Sequence, residues 1–271
     1  MSKQQTGVPA RGGAKPPPRT GNRGGGNRRP PKRRPARSQG RFYGLLIALV
    51  VAVIVAVVVV IVTSGGGTSK KANPHQPLVG YVFNGHKAFG GLGPENVPLE
   101  LGDQLASPNA GLTGAVIAGV QCNTGEQLVY HHHIHLSIFI NGVPKSVPLG
   151  IGMVPPALVE NTTKGQFATG SGSTSNPCLY WIHVHATDGI VHLESPSARN
   201  FLLGQVFGIW NQALSPTQIG SNTGTVTAYV NGQLWTGDPT QIPLDEHTDI
   251  ALSLGTPVAQ PPLLDWSGTS L

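Results

Sequence analysis

Tyr130–Ile140 reads YHHHIHLSIFI, and the rest of the chain follows from how that run is placed. Alternate residues of a β-strand point to opposite faces. On that period Ile134, Leu136, Ile138 and Ile140 form an apolar face, and His131, His133, His135, Ser137 and Phe139 form the other. The run stops at Asn141-Gly142. Asn-Gly after a β-rich segment signals a hairpin, because a type I′ turn needs positive φ at both central residues. The same dipeptide follows Val82-Phe83 and Tyr229-Val230. Other strand candidates are residues 114–120, 179–185, 190–194, 224–230 and 248–254. Only residues 200–213 (NFLLGQVFGIWNQA) repeat apolar side chains at three and four, and Ser215-Pro216 signals one more short helical turn. From residue 80 onward the expectation is an all-β domain, an antiparallel sandwich or barrel with one or two short helices. A stretch of about 190 residues is enough for a sizeable core.

Residues 179–194 (LYWIHVHATDGIVHLE) extend the histidine face. Tyr180, Ile182 and Val184 share one side of a strand, and Trp181, His183 and His185 share the other. Asp188-Gly189 signals a turn, with IVHLE returning. A two-residue loop pairs His185 with His192 and His183 with Glu194. A four-residue loop over 186–189 shifts the pairs but keeps the faces. A three-residue loop would set His192 against Val184, so the even loops are expected.

With His133 and His135 on a neighbouring strand, up to five imidazoles and one carboxylate share a surface. Opposed side chains lie about 4.5–5.5 Å apart at Cβ, a spacing that suits imidazoles converging on one ion at about 2.0–2.1 Å. The candidate metal ligands are therefore His133, His135, His183, His185, His192 and Glu194. His131 is peripheral to the set, and His132 points to the apolar side. His75, His86 and His247 stand alone. Imidazole suits Zn, Cu, Ni and Fe; Zn or Cu is the first expectation, although ligand type alone does not choose. A metal-free, pH-sensitive cluster and a set of structural, hydrogen-bonded histidines are the rival readings.

No GxSxG, HExxH or Walker loop occurs. The cupin spacing, HxH followed four residues later by Glu, also fails, because Ile190 stands five residues after His185. A three-His zinc site with an open position lowers the pKa of bound water to about 7, with Glu194 as base or fourth ligand. Asp188 reads as a turn residue, and Glu126, Glu160, Asp245 and Glu246 as surface or turn residues. Three functions stay open: metal handling or sensing, a metal-dependent hydrolase or oxidase, or an adhesion or assembly module with incidental His.

Outside the domain, charge and hydropathy are segregated. Residues 1–41 carry 12 Lys or Arg and no acid, whereas residues 80–271 carry 4 Lys or Arg against all 12 acids, a net of −8. Such a domain repels phosphate, which disfavours a nucleic-acid module. The tail lacks apolar residues to bury and aromatics to stack on bases. It is expected to be disordered and to touch anionic lipid. Residues 42–62 (FYGLLIALVVAVIVAVVVVIV) contain no charge. As a helix they would span about 31 Å, the thickness of a bilayer core. A single transmembrane helix, an uncleaved signal anchor, is expected there, with residues 63–79 as a linker. The basic flank puts the N-terminus in the cytoplasm and the 80–271 domain outside the cell membrane. In that oxidising compartment Cys122 and Cys178 are expected to form a disulfide, clipping strand 130–140 to strand 179–185.

The segments YHHHIHLSIFING (130–142), CLYWIHVHATDGIVHLESP (178–196) and FLLGQVFGIWNQALS (201–215) resemble a family of uncharacterised bacterial exported or membrane-anchored proteins, with the pattern HxH…CxYW[LI]HxH…GI[IV]H[IL]E…LGQxFxIW. The likeness covers roughly residues 115–257 and carries no known activity. It implies a bacterial envelope setting, and that His133, His135, His183, His185, His192 and Glu194 act as one unit.

Overall fold

A computed structural model describes residues 77–271. The expected basic tail (1–41), the expected transmembrane helix (42–62) and all but the last residues of the expected linker (63–79) lie outside the described residues. Among the described residues no helix is long and apolar enough to cross a membrane.

The domain is mostly β. Its main sheet has seven strands: β1 (Tyr130–Ile140), β2 (Val143–Lys145), β3 (Ile182–His183), β4 (Ile190–Ser195), β5 (Val226–Val230), β6 (Gln233–Trp235) and β7 (Thr248–Leu254). The order across the sheet is β3-β4-β1-β7-β5-β6, with β2 on the C-terminal half of β1. β1 and β7 run parallel, pairing Ile134 with Thr248 through Ile140 with Leu254. The sheet is therefore mixed, which corrects the purely antiparallel expectation. Alternation specifies which residues share a face, but it reads the same for either strand direction.

All three Asn-Gly turns form. Asn84, Asn141 and Asn231 have φ of 49°, 50° and 49°, with positive φ at each following Gly. Each closes a two-residue hairpin: Phe83 pairs with His86, Ile140 with Val143, and Val230 with Gln233. Between β3 and β4, His183 pairs with His192 and Ile182 with Leu193. That is the register of the four-residue loop.

Both faces of the sheet are covered. The face of Ile134, Leu136, Ile138, Val191, Leu193, Ile250 and Leu252 packs on helix α1 (Leu203–Trp210) through Val206, Phe207 and Trp210. The helix begins with the Gln205 side chain accepting the Leu202 N–H at 2.9 Å and ends at Asn211 in the left-handed region. On the other face Phe139 and Ile190 lie under a lid of Leu78, Phe89, Val97, Ala259 and Leu264.

Three local expectations fail. Residues 114–120 are not a strand, since Ala118 and Gly119 both have positive φ and Ile117 folds back onto Val120 in an isolated bridge. Ser215-Pro216 starts no helix; Leu214–Ser215 instead pairs with Gln218–Ile219. The Cys122–Cys178 disulfide forms, but it ties strand Cys122–Asn123 to strand Leu179–Tyr180, not to β1.

Candidate metal centre

β1, β4 and β3 lie side by side at one end of the sheet. Their registers put His133 opposite His192, His131 opposite Glu194, and His192 opposite His183. His185 follows two residues beyond His183. The result is a chain of touching rings with His192 at its middle. Centroid distances are 4.5 Å to His185, 5.2 Å to His183 and 4.6 Å to His133, with His131 a further 4.5 Å from His133.

Among the described residues three groups bring a donor atom from each member within 4.8 Å of the others: His183, His185 and His192; His131, His133 and His192; and Glu126, His183 and Glu194. In the first group each ring is held by one nitrogen. His183 Nδ1 lies 2.8 Å from the Tyr180 carbonyl, His185 Nδ1 lies 2.5 Å from the Ala168 carbonyl, and His192 Nε2 lies 2.8 Å from Glu95 Oε1. Since a carbonyl only accepts, the first two rings carry their proton on Nδ1, leaving Nε2 as a lone pair. His183 Nε2 and His192 Nδ1 are buried without a hydrogen-bond partner. His185 Nε2 faces Glu126 Oε1 at 3.6 Å. An oxygen on one ring nitrogen, fixing tautomer and orientation, is the outer-shell arrangement of metal-ligating histidines.

Glu194 supplies the carboxylate. Its Oε1 is 3.6 Å from His183 Nε2, 3.6 Å from His192 Nδ1 and 3.2 Å from His131 Nε2. Oε2 accepts the Gln127 N–H at 3.2 Å. Two ligands about 2.0–2.1 Å from a tetrahedral ion are about 3.3–3.4 Å from each other, so small side-chain movements would close the set.

Electrostatics favour lone pairs. Burial, reinforced by His185 and His192, drives His183 well below the usual imidazole pKa. Burial and His192 lower His185 to about 4, and burial with His192 and His131 lowers His133 to about 3. Burial also opposes charge on His192, but Glu194 and Glu95 flank the ring and outweigh it, raising it to about 9. An ion ligated at Nδ1 would displace that proton.

His135 stands apart. Its Nδ1 is 2.7 Å from Asp249 Oδ1, and it belongs to none of the three groups. His131, read as peripheral, belongs to one. Three carboxylates carry more than the sequence suggested: Glu95 on His192, Glu126 on His185, and Glu246, whose Oε1 is 3.7 Å from His133 Nδ1. They come from irregular segments, where no periodicity points a side chain. His132 lies with its ring 4.0 Å from that of Tyr130, tilted by 32°, and belongs to none of the three groups.

Glu95, Glu126, His131, His133, Phe167, His185, His192, Glu194 and Glu246 line a cleft of about 460 Å³. Phe167 stacks on His185 at 4.8 Å. No protein-family model, no curated protein and no solved structure matches the chain.

Proposed function

We propose that this is a single-pass membrane protein whose extracytoplasmic domain binds a transition-metal ion through His183, His185, His192 and Glu194, with metal handling or sensing as its role. One observation carries the reading: three buried imidazoles, each held through one nitrogen by a protein oxygen, converge through the other. Core packing alone gives no reason to bury unpartnered nitrogens, because an unsatisfied buried polar atom costs about 1–3 kcal/mol. Zn and Cu suit this donor set. The membrane placement rests on the uncharged run at residues 42–62 and its basic flank. The resemblance to exported bacterial proteins supports it.

The cleft favours a second reading, a metal-dependent hydrolase or oxidase. A bound divalent ion would supply Lewis acidity and an acidified water. Around it Glu194 and Glu126 would take up protons, while Phe167 and His131 would shape the opening.

The test is elemental analysis of the full-length chain, purified without a His-tag, beside His183→Ala/His192→Ala. The expected result is stoichiometric metal in the first and at least one equivalent less in the second. Equal, near-zero metal in both after incubation with Zn²⁺ and Cu²⁺ would overturn both readings. Loss of metal by the variant without loss of any cellular metal resistance, uptake or response would move the weight to the enzyme.

A further inference from the structure

His183, His185 and His192, with Glu194 beside them, would supply a four-ligand shell, yet the same face carries more donors. His133 is 5% exposed, and neither of its ring nitrogens has a hydrogen-bond partner. His183, His185 and His192 by contrast each have one ring nitrogen hydrogen-bonded to a protein oxygen. Burying an imidazole with both nitrogens unsatisfied is costly, and the second group defined by geometry, His131 with His133 and His192, is centred beside it. His192 Nε2 is taken by Glu95, so its one free nitrogen serves only one ion.

Two carboxylates complete the neighbourhood. Glu194 Oε1 is 3.2 Å from His131 Nε2 while also facing His183 and His192. Glu246 Oε1 is 3.7 Å from His133 Nδ1 and 2.8 Å from His247 Nε2. Paired metal sites hold their ions about 3.5–4 Å apart, a spacing that a shared carboxylate can bridge. We propose that the cluster holds two divalent transition-metal ions: one on His183, His185 and His192, the other on His131 and His133 with Glu246 at the rim, and Glu194 shared between them. This rests on the metal-binding reading above and extends it.

The test is titration of the metal-free full-length chain with Co²⁺, followed by visible absorption and electron paramagnetic resonance, with bound Zn²⁺ counted in parallel. Wild type is expected to take two equivalents per chain, with the spin signal attenuated by coupling at the second. His131→Ala/His133→Ala is expected to take one and keep the absorption of the first. One equivalent in both proteins would overturn the second site and leave the first standing. None in either would overturn the first as well. Two equivalents in the variant would also refute the assignment of ligands. If the variant does not fold, wild type decides alone: a break at one equivalent, or two equivalents with an unattenuated signal, sinks the paired centre.

Discussion

His133 and His135 are two residues apart on β1, share a face and are both buried, yet they differ in every respect that matters for chemistry. His135 is bonded to Asp249 at 2.7 Å, and its ring lies 5.9 Å from that of Phe89. Asp249 is itself held, accepting the Leu264 N–H at 2.5 Å, while its own N–H goes to Asn231 Oδ1 at 2.8 Å. His133 has no hydrogen-bonded partner on its ring and sits against His131 and His192. Strand alternation put both on one face. What lies over that face sorted them: the lid of Phe89, Val97, Ala259 and Leu264 closes one end, while the other end opens on the cleft. A shared face thus makes a set of candidates, and satisfaction of their nitrogens picks the members.

The largest expected effects come from removing ligands at the open end. His183→Ala/His192→Ala should remove the first metal equivalent, while His135→Ala should leave the metal count unchanged. Equal metal loss in both variants, with circular dichroism unchanged, would erase the distinction between the two ends.

The closed end should respond to pH. Phe89 pairs with Glu100, whose carboxyl is buried and accepts the Val147 N–H at 2.6 Å. Burial raises Glu100 to about 8, against the opposing pull of that N–H. Between its unfolded value near 4.3 and about 8, the folded state holds a proton that the unfolded state has lost. Stability is therefore full below the unfolded pKa and falls as pH rises through that window, by an amount on the order of 4 kcal/mol for this group. Glu100→Gln keeps an acceptor for Val147 and removes the ionisation. Thermal midpoints of the metal-free protein measured from pH 5 to 8 should fall more with rising pH in wild type than in the variant, because the buried histidines and Asp188 titrate alike in both. Parallel curves would show that Glu100 is not the group responsible.

His135→Ala should cost about 3 kcal/mol, from a cavity and from Asp249 left without its buried partner. Denaturant unfolding would read it directly. A cost below about 1 kcal/mol would mean that the Asp249 bond does not lock this end.

Much of this was legible because strands with one polar face write their geometry in a period of two. β1 and β7 match their expected bounds, the three Asn-Gly turns close as their φ demands required, and an even loop joins β3 to β4. The register is that of the four-residue form and not of the two-residue one, but β3 stops at His183, so residues 184–185 turn away to other partners before β4 begins. Gly189 adopts φ 79° without a type I′ pair, and a Cβ there would lie 2.6 Å from the Leu136 carbonyl. The parallel pairing of β1 with β7 was hidden, since the strands are over a hundred residues apart and their alternation does not encode direction. Glu95, Glu126 and Glu246 were hidden because irregular segments aim side chains by local contacts. Asp249 was readable in part. TDIALSL places it with Ala251 and Ser253 on a polar face, but nothing in that pattern names His135 as its partner.

The smallest effect belongs to Glu126, and it sharpens the comparison at the open end. Its carboxylate is 45% exposed, whereas Glu194 is nearly sealed at 2%. Both oxygens stand 3.6 Å from a histidine Nε2, so distance alone would rank them equal. Water screens an exposed charge and a mobile side chain loses entropy on ligation, which together leave such a contact about 0–1 kcal/mol. Glu126→Gln should therefore weaken the first metal equivalent by no more than about fivefold. Glu194→Gln should cost at least tenfold, because it removes a desolvated charge facing three imidazoles. Competition against a chelator of known affinity would measure both. If the two variants weaken binding equally, burial is not what separates ligand from bystander here, and the open end is chosen by proximity alone.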